Sequence, residues 1–262
     1  EILRVGVVPT VRLTDIFRQA QQSLIVQNAH RIVEGRMPQK GGAKDDFFLI
    51  ESTGLACQKL VCDLVSKRLP KAYGFDPVKD IQVLCPTKVG PTGSVELNKK
   101  LQEILNPPAK GRAQIGTAES AKILRLGDKV MQIKNNYQLE WERKSRYGVT
   151  YDRGNGIFNG DTGVIEDINF FSEQMLVRFE DDRFVYYDFT QLDELELAYA
   201  ITIHKSQGSE YPAVLIPMFP GPRMLMNRNL LYTAVTRART CVCMVGLEDC
   251  FHEVAANESE QK

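Results

Sequence analysis

The sequence predicts an α/β fold, a mostly parallel sheet with helices on both faces, interrupted by a small inserted antiparallel β-barrel. Two observations predict the parallel sheet. Short all-apolar runs such as residues 47–50 alternate with segments of helical periodicity, and strands that are apolar on both sides belong to sheets covered on both faces. A third observation predicts the barrel, because strand-like runs between residues 128 and 192 follow one another through tight turns without a helix.

The parallel part is predicted from its periodicity and its breakers. Apolar positions at helical spacing mark the helices, and Pro86 and Pro107 end a strand and a helix. The expected strands are 47–50, 81–85, 213–217 and 241–245, and the expected helices are 23–33, 55–69, 95–105 and 229–239.

The middle of the chain is predicted to be the barrel. Its expected strands are 129–134, 163–168, 174–179 and 183–189, and turns such as Asn159-Gly160-Asp161 separate them. Residues 135–155 are polar, contain the single Trp141 and are expected to form a long loop. We therefore expect the parallel domain in two parts, residues 1–127 and 193–262, on either side of a barrel at 128–192.

Composition excludes several classes of protein. Thirty-three basic residues balance thirty-three acidic ones, whereas a dedicated duplex-binding module is usually strongly basic. Residues 122–146 do lean basic, with seven basic side chains against three acidic ones, a local net charge of +4. No apolar run is long enough to cross a bilayer and no signal peptide begins the sequence, so we expect a cytoplasmic protein without membrane contact. The six cysteines contain no CxxC pair and are expected to be buried free thiols.

The stretch from Ala200 to Glu210, AITIHKSQGSE, is the first candidate site. An apolar strand leads into a polar turn with a glycine, and the carboxyl ends of parallel strands are where α/β sheets bind ligands. Gly208 permits close approach of a ligand to the backbone, while Gln207 and Glu210 offer groups for a hydroxyl or a phosphate. The structural alternative, in which His204 only caps the turn, is equally open on these residues.

Two further stretches contain arginines suited to phosphate. In 230–239, LLYTAVTRAR, two arginines come near the end of an amphipathic helix, and arginine offers a planar, permanently charged donor fork. They could equally complement the helix dipole and face water. In 11–20, VRLTDIFRQA, Arg18 precedes a predicted helix. This stretch alone favours the interpretation that Arg18 is an ordinary surface arginine.

Taken together, these three stretches resemble motifs IV, V and VI of superfamily-1 helicases. LTDIFRQA is similar to motif IV, AITIHKSQGSE to motif V and LLYTAVTRAR to motif VI. These three segments resemble in particular those of the RecD-like branch, whose enzymes move 5′ to 3′ on single-stranded DNA. The resemblance covers nearly the whole chain and implies a RecA-like parallel domain with a Src-homology-3-like barrel that helps to hold or split nucleic acid.

The resemblance also implies roles for individual residues. Arg18 and Arg237 would reach the γ-phosphate of ATP across a cleft. Gly208 and Glu210 would lie near the phosphates and ribose of the nucleotide, and Gln207 would couple that site to DNA. The residues implied for contact with the DNA strand are Thr87, Thr202, His204 and Lys205. Asn98 and Gln102 also match the sequence pattern of the RecD-like branch, but no role is assigned to them.

The sequence has no GxxxxGKS or GxxxxGKT phosphate loop. In the RecD-like branch that loop lies in an N-terminal RecA-like domain, which would bind ATP and Mg²⁺ in the full-length enzyme. The expected partners are therefore this N-terminal domain of the same polypeptide, single-stranded DNA and a DNA fork, and we expect a monomer. We also expect the chain to bind ATP poorly and to hydrolyse none by itself.

Other interpretations remain open at this point. One is a non-catalytic nucleic-acid-binding or docking module centred on the barrel, which would not need Arg18 and Arg237 to converge on one cleft. Another is a Pif-type or relaxase-type helicase, in which the barrel and motif V are similar. A nuclease finds no support, because the acidic residues do not cluster with histidine.

Overall fold

A computed structural model describes residues 23–116 and 122–258. The helices are α1 (Leu24–Val33), α2 (Gly54–Asp63), α3 (Leu69–Tyr73), α4 (Ser94–Leu105), α5 (Arg228–Val235) and α6 (Glu248–Ala256), and one π-helical turn, Leu64–Arg68, joins α2 to α3. The strands up to the middle of the chain are β1 (Phe47–Glu51), β2 (Ile81–Cys85), β3 (Gln114–Gly116), β4 (Ile123–Arg125), β5 (Lys129–Gln132), β6 (Asn136–Lys144) and β7 (Thr150–Ile157). The later strands are β8 (Thr162–Asn169), β9 (Gln174–Phe179), β10 (Phe184–Asp188), β11 (Leu195–Leu197), β12 (Ala200–Thr202), β13 (Tyr211–Met218) and β14 (Ala238–Gly246).

The predicted parallel sheet is confirmed. Its five strands lie in the order β1-β14-β13-β2-β12, and every neighbouring pair is parallel. The central strand β13 is apolar on both sides because a helix layer covers each face of the sheet. On one face α1, α5 and α6 pack over residues such as Val214 and Val242. On the other face α2, α3 and α4 pack over residues such as Leu215 and Cys243.

The inserted antiparallel region is also confirmed. Seven strands form one sheet in the order β11-β5-β8-β9-β10-β6-β7, with a core of its own that includes Val177, Phe179 and Tyr187. We call residues 129–197 the antiparallel module. Its last strand, β11, lies beyond residue 192, where the sequence suggested that the barrel ends. The proposed domain boundaries remain predictions.

The polar stretch at 135–155 is not the loop that was predicted. Strands β6 and β7 pair antiparallel as a ribbon at one end of the module's sheet, and Trp141 lies opposite Gly154. A Cβ atom at position 154 would come within 2.4 Å of the Trp141 ring, so only glycine lets the indole lie flat against the facing strand. The sequence signal was missed because polar residues occupy both faces of this ribbon.

A buried carboxylate joins the module to the parallel domain. Asp128 is fully buried and accepts hydrogen bonds from Gln102 Nε2 (2.5 Å), Asn106 Nδ2 (2.7 Å) and the Tyr199 hydroxyl (2.9 Å). Burial raises the pKa of Asp128, and these hydrogen bonds oppose the shift. Residues from α4, from the start of the module and from the chain leaving it thus meet in one polar junction.

The six cysteines are all buried and unpaired, as the sequence predicted. Burial raises the pKa of the Cys57 thiol to about 12 and also raises that of Cys250. In the part of the chain that the structure describes, no helix combines the length and the apolar character that crossing a bilayer requires.

Candidate functional site

The residues predicted to carry function lie on two opposite edges of the parallel sheet. Thr87 follows the carboxyl end of β2, and Thr202 ends the neighbouring β12 in register with Cys85. Gly208 and Glu210 instead precede the amino end of β13, and Arg237 precedes the amino end of β14. The expectation that the whole turn occupies the carboxyl edge is therefore wrong, because the chain between β12 and β13 runs back along the sheet.

The connecting segment, residues 203–210, explains this separation. It begins with a short 3-10 turn, Ile203–Ser206, in which Ile203 and Ser206 are buried against the face that α5 covers. The Ser206 hydroxyl donates to the Ile203 carbonyl (2.7 Å), which satisfies it inside the protein. The segment then emerges at the opposite edge, where Gly208 adopts a φ of +88°.

Arg237 is the central residue of the amino edge. Its guanidinium donates from Nη1 to the carbonyl of Ser209 (3.2 Å) and from Nε to the carbonyl of Thr233 (3.3 Å). The Arg237 carbonyl in turn accepts from the backbone N–H of Tyr211 (2.9 Å). No carboxylate among residues 23–116 and 122–258 forms an ion pair with Arg237. Arg237 Nη2 also lies 3.5 Å from the Thr236 hydroxyl oxygen. A partly buried positive charge held by neutral acceptors is well suited to bind an anion.

The position of Arg237 corrects the predicted helix at 229–239. Helix α5 ends at Val235, where the Thr236 hydroxyl donates to the Tyr232 carbonyl (2.9 Å). Strand β14 begins three residues after Val235, at Ala238. The two arginines of the motif therefore do not lie on the last helical turn, and the helix-dipole alternative does not apply to Arg239, which is in a strand.

Glu210 and Gly208 also have local structural roles, and their predicted roles at the nucleotide remain predictions. Glu210 accepts a hydrogen bond from Arg239 Nε (3.0 Å), so its carboxylate is engaged by a neighbouring side chain. No atom lies within 4 Å of the place where a Cβ of Gly208 would be. The positive φ of Gly208, rather than crowding, is what favours glycine at this turn. Gln207 is exposed immediately before it.

The carboxyl edge presents cations that share one carboxylate. Lys88 Nζ lies 2.8 Å from Glu196 Oε1, and Lys205 Nζ lies 3.2 Å from Glu196 Oε2. Burial raises the pKa of Glu196, but the hydrogen bonds and charges of the two lysines outweigh it and lower the pKa below its ordinary value. His204 is exposed on the same edge, and the Thr87 hydroxyl donates to the Val89 carbonyl (3.1 Å).

Asn98 and Gln102 have structural partners. The Asn98 amide nitrogen donates to the carbonyls of Leu197 (2.9 Å) and Ala200 (2.7 Å), and its oxygen accepts from the Ala200 N–H. Gln102 donates to Asp128 and to the Ile123 carbonyl. These bonds hold the short edge strand β12 and the start of the module against α4.

The basic stretch 122–146 is not one basic surface. Arg125 and Lys129 are buried, and burial lowers the pKa of Lys129. Farther along, Lys134 pairs with Asp193 and Arg143 with Asp152. Lys122, by contrast, turns towards the carboxyl edge beside Lys88 and Glu196. Sequence reasoning did not single out these three residues, because Lys88 and Glu196 lie far apart in the chain.

Two points remain, the position of Arg18 and the residues that could bind a metal ion. Arg18 belongs to residues 1–22, outside the described residues. No group of three or more His, Cys, Asp or Glu side chains within 23–116 and 122–258 could hold a metal ion.

Comparison with known proteins agrees with this architecture. The family profile described as "ATP-dependent RecD-like DNA helicase SH3 domain" matches residues 97–179, and the "UvrD-like helicase C-terminal domain" matches residues 197–245. The ATP-dependent RecD2 DNA helicase of Deinococcus radiodurans is 32% identical over 254 residues, which cover 97% of this chain. The chain is similar to the C-terminal part of RecD-like helicases. The segments that resemble motifs V and VI contain Gly208 and Arg237, and both segments lie within the second matched region.

The chain spans only part of these relatives. It covers 31% of the Deinococcus protein, and it covers 25% of the RecBCD enzyme subunit RecD of Mycolicibacterium smegmatis, with 29% identity over 167 residues. A crystal structure of Pif1 helicase from Bacteroides in complex with ADP-AlF3 and ssDNA superposes with a TM-score of 0.51. That match has 18% identity and covers 93% of this chain and 53% of the other, so it shows a shared fold.

Proposed function

We propose that this chain is the C-terminal motor half of an ATP-dependent 5′-to-3′ DNA helicase. In this proposal it grips single-stranded DNA at the carboxyl edge and supplies arginine to ATP at the amino edge. An N-terminal RecA-like domain of the same polypeptide would hold the triphosphate and Mg²⁺. A cytoplasmic, monomeric enzyme that acts on DNA forks in repair or recombination is part of the same proposal.

The observation that carries the proposal is the state of Arg237. Its guanidinium is anchored at two carbonyls and its charge has no carboxylate partner among the described residues. An arginine kept in place by neutral acceptors can turn its remaining N–H groups towards a phosphate without first breaking an ion pair. An arginine finger of this kind contributes on the order of 10³ to 10⁵ in the rate of phosphoryl transfer.

In the proposed mechanism Arg237 lies on one wall of a cleft that the upstream domain would complete. ATP supplies the free energy when its γ-phosphate is transferred to water. Arg237 stabilises the negative charge that develops on that phosphate, together with Arg18 if it reaches the same cleft. Because this contact forms only when the cleft is closed, the bound state favours one spacing of the two domains. Segment 203–210 begins at the carboxyl edge, where we propose that DNA binds, and it ends beside Arg237. The segment would therefore couple movement at the DNA contact to movement at the ATP contact.

Contact with DNA is supported by the carboxyl edge and by the ribbon. Lys88 and Lys205 offer two positive charges against the single charge of Glu196, and such a grip on phosphates is insensitive to sequence but sensitive to salt. On the ribbon, Tyr147 and Tyr151 are exposed, and the Arg146 guanidinium lies 4.8 Å from the Tyr147 ring centre. Exposed rings beside arginine are typical of surfaces on which single-stranded bases stack.

Oligo(dT)-stimulated ATP hydrolysis tests the proposal. The measurement uses the chain extended upstream through its P-loop domain, and compares wild type with Arg237→Ala. We expect the variant to lose stimulated turnover by about 10³-fold or more, while its affinity for oligo(dT) stays near that of wild type.

Arg239→Ala is the matched control. Arg239 lies two residues away, is exposed and pairs with Glu210, so its loss should leave turnover within a few-fold of wild type. Normal hydrolysis by Arg237→Ala would refute the assignment of Arg237 to the ATP cleft. Robust hydrolysis by the 262-residue chain without the upstream domain would refute the division of labour.

One observation favours the docking-module alternative. Phe171, at the turn between β8 and β9, is 99% exposed, and its backbone N–H donates to Asn169 Oδ1 (2.9 Å), which orders the turn. An exposed phenylalanine on an ordered turn suits a protein partner better than DNA. This alternative gains ground only if Arg237→Ala leaves hydrolysis intact.

A further inference from the structure

A cavity of about 450 Å³ lies between α4, the edge strand β12 and the start of the antiparallel module. This volume is within the range of small-molecule sites, which is roughly 300–1,000 Å³. One part of its lining is apolar and comes from Val95, Ile123, Met131, Leu197, Ala200 and Ile201. Thr202 and Lys205 also line it, so the cavity opens beside the residues that we propose for contact with the DNA strand.

The polar part of the lining carries excess positive charge. Five basic residues line the cavity against two carboxylates, those of Glu103 and Glu196. Lys88, Lys122 and Lys205 are the three basic residues nearest Glu196 in contacts and charge. Glu196 pairs with both Lys88 and Lys205. Its one negative charge therefore balances only one of these two ammonium groups, and Lys122 adds a further positive charge. An anion with one or two negative charges would balance this wall.

Lys122 is the least compensated of the three lysines. Its ammonium donates to the Leu195 carbonyl, and no ion pair to it occurs among the described residues. Burial lowers the pKa of Lys122, against the opposing charges of Glu196 and Asp193. A partly buried ammonium that meets only a carbonyl gains more from a bound phosphate than a solvated surface lysine does.

The amides in the wall are already committed. The Asn98 and Gln102 side-chain nitrogens donate within the protein, to the carbonyls of Leu197, Ala200 and Ile123. They are therefore not available to read the hydrogen-bonding edge of a base. A flat ring entering the cavity would be held by apolar contact with the remaining lining, which every base can make.

We propose that this cavity binds one nucleoside monophosphate unit, with the base against the apolar lining and the phosphate among Lys88, Lys122 and Lys205. The inference rests on the proposed function, because Thr202 and Lys205 belong to both. The same chemistry has two sources, a nucleotide turned out of a bound strand or a free nucleotide. In either case the site tolerates any base and requires the phosphate.

Equilibrium binding to the 262-residue chain tests the cavity, with dTMP, thymidine, inorganic phosphate, oligo(dT) and an abasic strand of equal length as probes. Val95→Trp should fill the cavity from its exposed side, and Lys122→Met removes the ammonium while keeping most of the length of the side chain. Ile104→Trp and Lys100→Met, on the same helix but outside this lining, are the matched controls. Urea unfolding shows whether each variant is folded.

If the inference is right, Val95→Trp and Lys122→Met weaken dTMP or oligo(dT) binding by about tenfold or more, while both controls stay within about twofold. Wild type should also prefer dTMP to thymidine and to phosphate, or oligo(dT) to the abasic strand. Loss of the preference for oligo(dT) over the abasic strand in Val95→Trp identifies a strand as the source. If the variants lose affinity for dTMP but not for oligo(dT), the source of the bound unit is a free nucleotide.

The inference is overturned if dTMP binds no better than its two parts and both cavity variants bind oligo(dT) as wild type does. That result would leave the proposed function standing, because the strand would still bind. A chain that binds neither oligo(dT) nor the abasic strand, but still binds dTMP in the cavity, would instead count against the proposed grip on DNA.

Discussion

The two edges of the parallel sheet present positive charge in different ways. At the amino edge Arg237 is fixed by the carbonyls of Ser209 and Thr233, so its planar donor fork has a set direction. At the carboxyl edge Lys88 and Lys205 reach a single carboxylate with long, flexible side chains. Arginine recognises the geometry of a phosphate, whereas lysine acts as a point charge that tolerates movement.

This difference suits the two ligands that we propose. A phosphate undergoing transfer must be met from one direction, because catalysis depends on charge placed where it develops. A strand that is stepped along its own length must be held and released repeatedly, and contacts to successive phosphates favour mobile cations. Four predictions test the contrast, from the largest expected effect to the smallest.

Replacement of Arg237 by lysine tests whether geometry matters at the amino edge. Lysine keeps the charge but cannot contact Ser209, Thr233 and a phosphate at once. We expect Arg237→Lys in the extended chain to lose DNA-stimulated ATP hydrolysis by about 10²-fold or more, with unchanged DNA affinity. Turnover close to wild type would mean that charge is sufficient and that the two edges do not differ in this respect.

Loss of the Asn98 side chain tests how the carboxyl edge is held. Asn98→Ala leaves the Ala200 N–H and two carbonyls without their partner, so the free energy of unfolding should fall by roughly 2–4 kcal/mol. Urea unfolding measures the change. Lys99→Ala, at the exposed neighbouring position, should stay within about 0.5 kcal/mol of wild type; equal effects of both variants would show that β12 does not depend on this amide.

Gly208 tests the segment that links the two edges. Gly208→Ala should lower the free energy of unfolding by about 1–2 kcal/mol, because alanine is strained at this positive φ. Gly74→Ala is the control, since Gly74 has a φ of +73° at a helix end with open space around it. The two stability losses should match, and only Gly208→Ala should also slow stimulated ATP turnover. Equal turnover in both variants would contradict a role for the segment.

Glu196 tests the shared carboxylate. Glu196→Gln releases Lys88 and Lys205, so oligo(dT) should bind a few-fold more tightly, with a log–log salt slope steeper by about one unit. The pKa of Glu196 is depressed in the folded state, so its ion pairs stabilise the fold above its ordinary pKa and are lost only as pH falls through the depressed value. The effect should therefore be full at neutral pH.

Glu166→Gln serves as the control for that experiment. Glu166 pairs with Arg178 in the antiparallel module, away from the carboxyl edge, and its loss should change neither affinity nor salt slope. Unchanged DNA binding in Glu196→Gln would show that the strand does not meet these lysines.

Much of the parallel domain could be predicted from the sequence because its strands and helices bury whole faces. The strand at 81–85 and the helix starting near residue 95 were placed within one residue of their observed bounds. The end of α5 was not, because Ala and Arg are good helix formers and nothing local forbids a longer helix. Pairing of Ala238 with Tyr211 in the sheet decides the matter, and such a pairing is not visible in one segment of sequence.

The site was predicted residue by residue but not as an arrangement. Arg237 and Gly208 were singled out because a glycine turn and a paired arginine resemble helicase motifs, and their roles remain predictions. The division between two edges depends on the path of residues 203–210 across the sheet face. The lysine-lined cavity depends on Lys88, Lys122 and Glu196, which meet only in the folded chain.

The burial of all six cysteines has a practical consequence. A maleimide dye needs an exposed thiolate, and burial denies every native cysteine that exposure. A Tyr147→Cys substitution at the tip of the ribbon, where the tyrosine is 77% exposed, would therefore introduce one readily labelled position into an otherwise unreactive chain. With a second dye on the upstream domain or on a DNA strand, fluorescence energy transfer could follow the ribbon through each catalytic cycle without removal of any native cysteine.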